Sequence, residues 1–287
     1  MAKANSDITK HPRPKGRGNY ENKTYMSGFT RKENTFVKIC WHIYSFVLSR
    51  RYKIVIKGVE LLEAPGGKIM FPNHQSHVDP QIMALQTFKY SGITPVVAER
   101  FFKIPVIKFF LKKWEAVSVS DLKSNRDTNI LQRMNKEIHE AVKKGKAVII
   151  YPSGQLTDQG IERVYNKQGA YSLMADLPDN VKVLGVRITG LWGSMWSKAW
   201  EGKQPPFLPT YIKGVGLFFA NLIFLAPRRT VTLEFVDITK EANEQAKNDR
   251  KTFNAYLESF YNINGVQEPI YIKHFFFAPK SKRKLPE

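Results

Sequence analysis

The stretch 72–80, PNHQSHVDP, carries the residue types most suited to chemistry. His74 precedes Asp79 with four residues between them, a spacing at which a loop entering a helix lets the carboxylate meet one imidazole nitrogen. Such a carboxylate fixes the tautomer and stabilises imidazolium, and the other ring nitrogen is left to take a proton. No protein nucleophile is needed if the attacked hydroxyl belongs to the substrate. His74 then serves as general base for direct attack on an activated carbonyl. Two other readings stay open on the residues alone. The pair can be structural. Alternatively, His74, His77 and Asp79 can ligate zinc or another divalent ion, although no fourth ligand is evident.

A second unusual stretch is 148–160, VIIYPSGQLTDQG. The first stretch follows a short apolar run, KIMF at 68–71, and the second begins within another, KAVIIY at 146–151. In open α/β sheets, ligand sites gather beyond the carboxyl ends of strands. The surrounding pattern fits such a sheet. Strands are expected at 52–57, 68–71, 94–98, 116–119, 146–151, 181–188 and 230–236. Helices are expected at 80–88, 101–113, 128–144 and 241–261, the third with an apolar stripe from Ile130 to Val142 and a stop at Gly145. Strands alternating with helices predict an α/β domain around a parallel or mixed sheet.

The chain has 287 residues and a formal net charge of +20 from 45 basic and 25 acidic side chains. Such a surface prefers anionic partners: nucleic acid, an anionic membrane or an acidic carrier protein. The single cysteine, Cys40, excludes an internal disulfide and a multi-cysteine zinc site. The N-terminal residues lack the apolar region of a cleaved secretory signal. No apolar run reaches the ~20 residues of a spanning helix. Two runs come partway, FVKICWHIYSFVL at 36–48 and the uncharged GVGLFFANLIFLA at 214–226. Each reads as a buried helix or as an insertion into one leaflet. Residues 1–33 are expected to form a flexible basic arm, 34–51 a membrane-associating helix, and 52–287 the α/β domain. Trp192, Trp196 and Trp200 recur every four residues and would share one face if helical. Tryptophan favours the membrane interface, so this segment points to a membrane-contacting lobe.

The order of these segments resembles the glycerolipid acyltransferase family, the PlsC-like 1-acylglycerol-3-phosphate and lysophospholipid acyltransferases. Asn73–Asp79 matches the family's N-H-x4-D signature. IVIKGVELL at 54–62 resembles the strand and glycine that lead into it. YPSGQ resembles the block usually written F-P-E-G-x-R, VYNKQGA at 164–170 the following Lys-x-Gly-Ala segment, and VLGVRI at 183–188 the V-x-P-V block. The likeness runs from Tyr52 to Leu191. It implies an α/β fold with an acyltransferase-like mixed sheet flanked by helices and an N-terminal amphipathic helical element. It also implies acyl transfer from acyl-CoA or acyl carrier protein to a lysoglycerolipid hydroxyl at an anionic membrane surface. The enzyme would be peripheral or monotopic on the cytoplasmic face, with no cofactor and no resident metal. His74 would be the base and Asp79 its partner.

Asn73, Ser153, Gly154 and Gln155 are the substrate-binding candidates of these blocks. Oxyanion donors are expected near Gly154 or at the start of the helix after Asp79. The chain also departs from the family pattern. Ser153 stands for the usual Glu, Gln155 or Leu156 for the Arg, and Gly185 for the Pro, while VSVSDLKSNRD at 117–127 matches the second block poorly. A phosphate-bearing acceptor would want a compact positive site, for which Lys123, Arg126, Arg100 and Lys167 are candidates. A larger lysophospholipid or an amino-acid lipid is the alternative acceptor. The YPSGQ-to-GA stretch is similar to the acyltransferase half of bifunctional acyl-carrier-protein synthetase/lysophospholipid acyltransferases. A non-catalytic lipid-binding relative is a further reading. A nucleic-acid-binding protein would explain the charge but leaves the N-H-x4-D and YPSG placements unexplained, and no recognised motif supports it.

Overall fold

The run KIMF is apolar at every position because it lies at the centre of a sheet covered on both faces. In the computed structural model, which describes residues 35–119, 128–157, 159–200, 202–220 and 227–272, it forms β2 (Lys68–Pro72), every residue of which is buried. Ile69 and Phe71 point to one face and pack with Met134, Ile138, Leu173, Phe253 and Leu257. Met70 points to the other face and packs with Val78, Ile82, Met83 and Leu184. Period-2 alternation therefore feeds two cores from one strand.

The sheet has seven strands in the order β1-β7-β6-β2-β5-β3-β4. The others are β1 (Tyr52–Lys57), β3 (Ile93–Ala98), β4 (Val117–Val119), β5 (Ala147–Ile149), β6 (Lys182–Thr189) and β7 (Arg229–Asp237). All neighbours pair in parallel except β6 and β7, which are antiparallel. That one reversal turns β7 and its parallel partner β1 around. The amino ends of β1 and β7 thus lie at the same sheet edge as the carboxyl ends of β2, β5 and β6.

The helices are α1 (Thr35–Arg51), α2 (Val59–Glu63), α3 (Asp79–Thr87), α4 (Pro105–Lys113), α5 (Thr128–Lys143), α6 (Gly169–Met174), α7 (Phe207–Ala220), α8 (Thr239–Ala246) and α9 (Arg250–Tyr261). Two expected helices are each divided. Residues 101–113 break at Ile104, where a 3₁₀ turn (Glu99–Lys103) gives way to α4 with Pro105 at its first position. Residues 241–261 break because Asp249 caps a new helix, its carboxylate accepting the Thr252 N–H at 2.7 Å. Trp192 and Trp196 lie in turns rather than on a helix, so they share no helix face, and Trp192 is buried. The apolar run at 214–226 is helical through Ala220; residues 221–226, like the N-terminal arm, lie outside the described residues.

Two glycines show where backbone approach dictates residue choice. Gly185 lies under the Phe260 ring of α9, and a Cβ there would stand 2.5 Å from it. The departure from the V-x-P-V block is thus tied to helix packing on β6. Gly58 has φ 75°, and its Cβ would stand 2.3 Å from Phe235 O. Gly58→Ala should therefore lower the unfolding free energy by at least ~2 kcal/mol. Urea denaturation measures this, and a loss below half that value would show that the β1–α2 turn relaxes.

Candidate active site

Residues 73–78 pass from β2 into α3, and nearly every polar group in this short connection is used to hold its shape. Asn73 is buried and clasps β6 with both ends of its carboxamide. Its Nδ2 donates to Ile188 O at 3.0 Å and its Oδ1 accepts the Ile188 N–H at 2.6 Å. Asn73 therefore positions the loop; it is not free to bind substrate. Gln75 Oε1 accepts the N–H groups of Leu191 and Trp192 at 3.0 and 3.2 Å. His74 O accepts the Thr157 N–H at 2.7 Å, which ties this loop to the one after β5.

Asp79, 0% exposed, is the hub of the turn. Its Oδ2 accepts the N–H of Gln75 at 2.5 Å and that of Ser76 at 3.0 Å, and Oδ1 accepts the Ser76 hydroxyl. The same Oδ2 lies 3.2 Å from His74 Nδ1. Asp79 acts as acceptor toward every one of these groups. His74 Nδ1–H accordingly donates to it, leaving the lone pair on Nε2. The His74 ring packs on Tyr151 with centroids 4.4 Å apart. Both residues line a cavity of about 1670 Å³ walled mainly by apolar side chains of α1, α3, α4, α5 and α7.

His77 Nε2–H donates to Pro205 O at 3.0 Å, which ties this ring to the segment before α7. Burial and then the neighbouring His74 lower its pKa, which keeps it neutral. Among the described residues no three His, Cys, Asp or Glu side chains gather as a ligand set.

The other candidates scatter. Ser153 is buried and donates to Gln155 O at 3.0 Å. Gly154 has φ 59° and lines the cavity, but its N–H donates to Tyr151 O at 3.1 Å, so it is no oxyanion donor. Gln155, Lys167 and Arg100 line the cavity, the last lying over the Phe101 ring. Lys123 and Arg126 fall outside the described residues.

Residues 53–190 match the family model described as Acyltransferase. These residues are an acyltransferase-family domain. The crystal structure of the 1-acyl-sn-glycerophosphate (LPA) acyltransferase PlsC from Thermotoga maritima is similar at 18% identity and a TM-score of 0.48, over 83% of each chain. No curated protein matches the chain.

The acyltransferase domain also holds a carboxylate that sequence reasoning missed. Glu162, 3% exposed, accepts the His74 N–H at 3.0 Å through Oε2, which also accepts the Thr157 hydroxyl. Its own main chain is clasped by Asn262 of the segment after α9, which accepts the Glu162 N–H at 2.9 Å and donates to its carbonyl at 2.8 Å. Glu258 and Asn254 of α9 hold Val164, Tyr165 and Lys167 in the same way. The signal in the sequence was slight, since Glu162 is one of two acidic residues, with Asp158, between two resembling blocks.

Burial pushes the Glu162 carboxyl up, while Ser153, Thr157 and His74 hold it partly down. The native state therefore keeps this proton to higher pH than the unfolded chain. The stability linked to it is present below the ordinary value of 4.5 and is lost as pH rises through the raised native value. Glu162→Gln removes that loss, so in urea titrations its stability relative to wild type should grow as pH rises from 4.5. A pH-independent difference would contradict the buried, proton-retaining carboxyl.

Proposed function

We propose that the protein moves a fatty acyl group from an acyl thioester, on coenzyme A or acyl carrier protein, to the hydroxyl of a lysoglycerolipid, using no cofactor. The observation that carries this reading is the His74–Asp79 pair set in the wall of a large apolar cavity. An acyl chain demands such a cavity, and a hydroxyl acceptor demands such a base. His74 Nε2 takes the proton from the acceptor hydroxyl as its oxygen attacks the thioester carbonyl. The tetrahedral intermediate collapses with cleavage of the C–S bond. The imidazolium, stabilised by Asp79, returns the proton to the thiolate leaving group. No bond to the protein forms.

His74→Ala should lower kcat by about 10²–10⁴-fold. Asp79→Asn should lower it by at least ~10²-fold through the wrong tautomer. Near-normal turnover in the first would remove His74 from the chemistry. An unchanged rate in the second would reduce Asp79 to a turn-former.

The same reading places the protein on an anionic membrane surface, at the cytoplasmic face. Helices α1 and α7 line the cavity and also carry exposed apolar residues: Ile39, Ile43 and Phe46 on α1, and Leu208, Ile212 and Phe219 on α7, of which Ile43, Leu208 and Phe219 border the cavity itself. Exposed apolar groups on two neighbouring cavity walls, with the +20 charge, suit a lipid interface. Among the described residues no helix is long and apolar enough to cross a membrane. Ile212→Asp with Phe219→Asp should release the protein from phosphatidylglycerol-containing vesicles in a flotation assay while leaving thermal stability within a few degrees. Undiminished flotation would take α7 out of the membrane contact.

A further inference from the structure

A tetrahedral intermediate needs a hydrogen-bond donor for its oxygen, and the main chain around His74 is largely spoken for. In the turn, the N–H groups of Gln75 and Ser76 donate to Asp79 and that of His74 to Glu162. Those of His77 and Asp79 donate to Trp196 O and Ser76 O. In the loop after β5, the N–H groups of Gly154 and Thr157 donate to Tyr151 O and His74 O. All of these groups shape the turn, so none of them is left for a substrate oxygen.

A side-chain donor lies beside the base instead, and the sheet register brings it there. Met70 pairs with Ile149 in the parallel β2–β5 ladder, so both chains leave the sheet at one edge, with Tyr151 two residues past that pair. Tyr151 lines the cavity, and its ring packs on His74 with centroids 4.4 Å apart and planes at 40°. The Tyr151 hydroxyl is out of solvent and makes no hydrogen bond among the described residues. A buried hydroxyl without a partner is destabilising. Phenylalanine, which the resembling F-P-E-G-x-R block usually has here, would avoid that cost. Ser194 has a hydroxyl of the same kind in the turn after β6, but Tyr151 is packed against the base. Burial, and then the neighbouring Asp79 and Glu162, push the Tyr151 hydroxyl well above its ordinary value of 10. The phenol therefore keeps its proton at neutral pH and serves as a donor, not as a second base.

We propose that the Tyr151 hydroxyl donates a hydrogen bond to the carbonyl oxygen of the acyl thioester as that oxygen takes on negative charge, making Tyr151 a catalytic residue beside His74. The assignment rests on the acyl-transfer reading. The acceptor oxygen sits at His74 Nε2, and a near-attack geometry puts the carbonyl carbon about 3–3.5 Å beyond it. A phenol packed on the imidazole reaches that region. As the acceptor oxygen bonds to the carbonyl carbon, its proton passes to Nε2 and the C=O π electrons move onto the carbonyl oxygen. The Tyr151 O–H bond stays intact throughout. The C=O bond re-forms as the C–S bond breaks, and the hydroxyl is released. A donor matched to the charged oxygen acts on kcat more than on KM.

The test compares full-chain wild type, Tyr151→Phe and His74→Ala in acyl transfer to lysophosphatidate. In parallel, infrared difference spectra record the carbonyl stretch of a carbon-13-labelled acyl thioester, on coenzyme A or carrier protein, bound without acceptor. Tyr151→Phe should lower kcat at least tenfold, and toward 10²-fold, with the thioester KM within about twofold. The bound carbonyl should absorb at higher frequency in Tyr151→Phe than in wild type, because a hydrogen bond to it is gone. The unfolding temperature should hold or rise, since the hydroxyl has no protein partner to lose. Transfer that is lost in His74→Ala yet near normal in Tyr151→Phe overturns the donor role and leaves the acyl-transfer reading standing. A lowered kcat with an unshifted carbonyl stretch also overturns it, as does a marked fall in unfolding temperature, which would make the hydroxyl a structural partner. A wild type that acylates no lysolipid overturns both the donor role and the reading beneath it.

Discussion

The site depends on a buried carboxylate that must be surrounded by donors. An unpaired carboxylate in a protein interior costs several kcal/mol. Asp79 avoids that cost because the chain from His74 to Ser76 curls around it, presenting two main-chain N–H groups, a hydroxyl and the imidazole. The constraint works in both directions. It fixes which His74 nitrogen is available, and it requires the loop to be anchored elsewhere so that the curl does not drift. Asn73 and Gln75 provide that anchorage to β6 and the turn after it, and Glu162 and Thr157 provide it from the loop after β5.

Those anchors come from both strands that flank β2, and in turn from α9. The side chains of Asn254, Glu258 and Asn262 reach the main chain of residues 162–167, and the Tyr261 hydroxyl donates to Phe71 O at 2.9 Å. A helix late in the sequence therefore sets the loops of an early one. Gly185 permits this by letting Phe260 approach the sheet. The departures from the family blocks at Ser153 and Gly185 thus sit within a local network that accommodates them, Ser153 beside Glu162 and Gly185 beneath α9.

Much of the fold was legible because the central strands are apolar on both faces and the helices striped on one. KIMF, KAVII and the stripe of α5 announce themselves by period alone. His74 and Asp79 were legible because their spacing is local. What stayed hidden was set by tertiary pairing. The antiparallel β6–β7 ladder brings Tyr52 and Arg229 to the cavity wall, whereas a search beyond the carboxyl ends of strands could not reach them. Glu162 was hidden because its partner is a main-chain N–H far away in sequence. Asn73 was misread as substrate-binding because its role exists only against Ile188. The tryptophan spacing misled because turns at 190–197, stabilised by Ser194 and Ser197, replace the expected helix.

The central claim is direct transfer of an acyl group to a lipid hydroxyl by a histidine base, without an acylated protein. The most direct measurement incubates purified protein with acyl-CoA or acyl carrier protein thioester and a panel of lysolipids, then records lipid products and the intact-protein mass together. The account predicts a new diacyl lipid that is lost in His74→Ala, and a protein mass that never increases. An acyl adduct on the protein, or thioester breakdown with no lipid ester from any pairing, would contradict it.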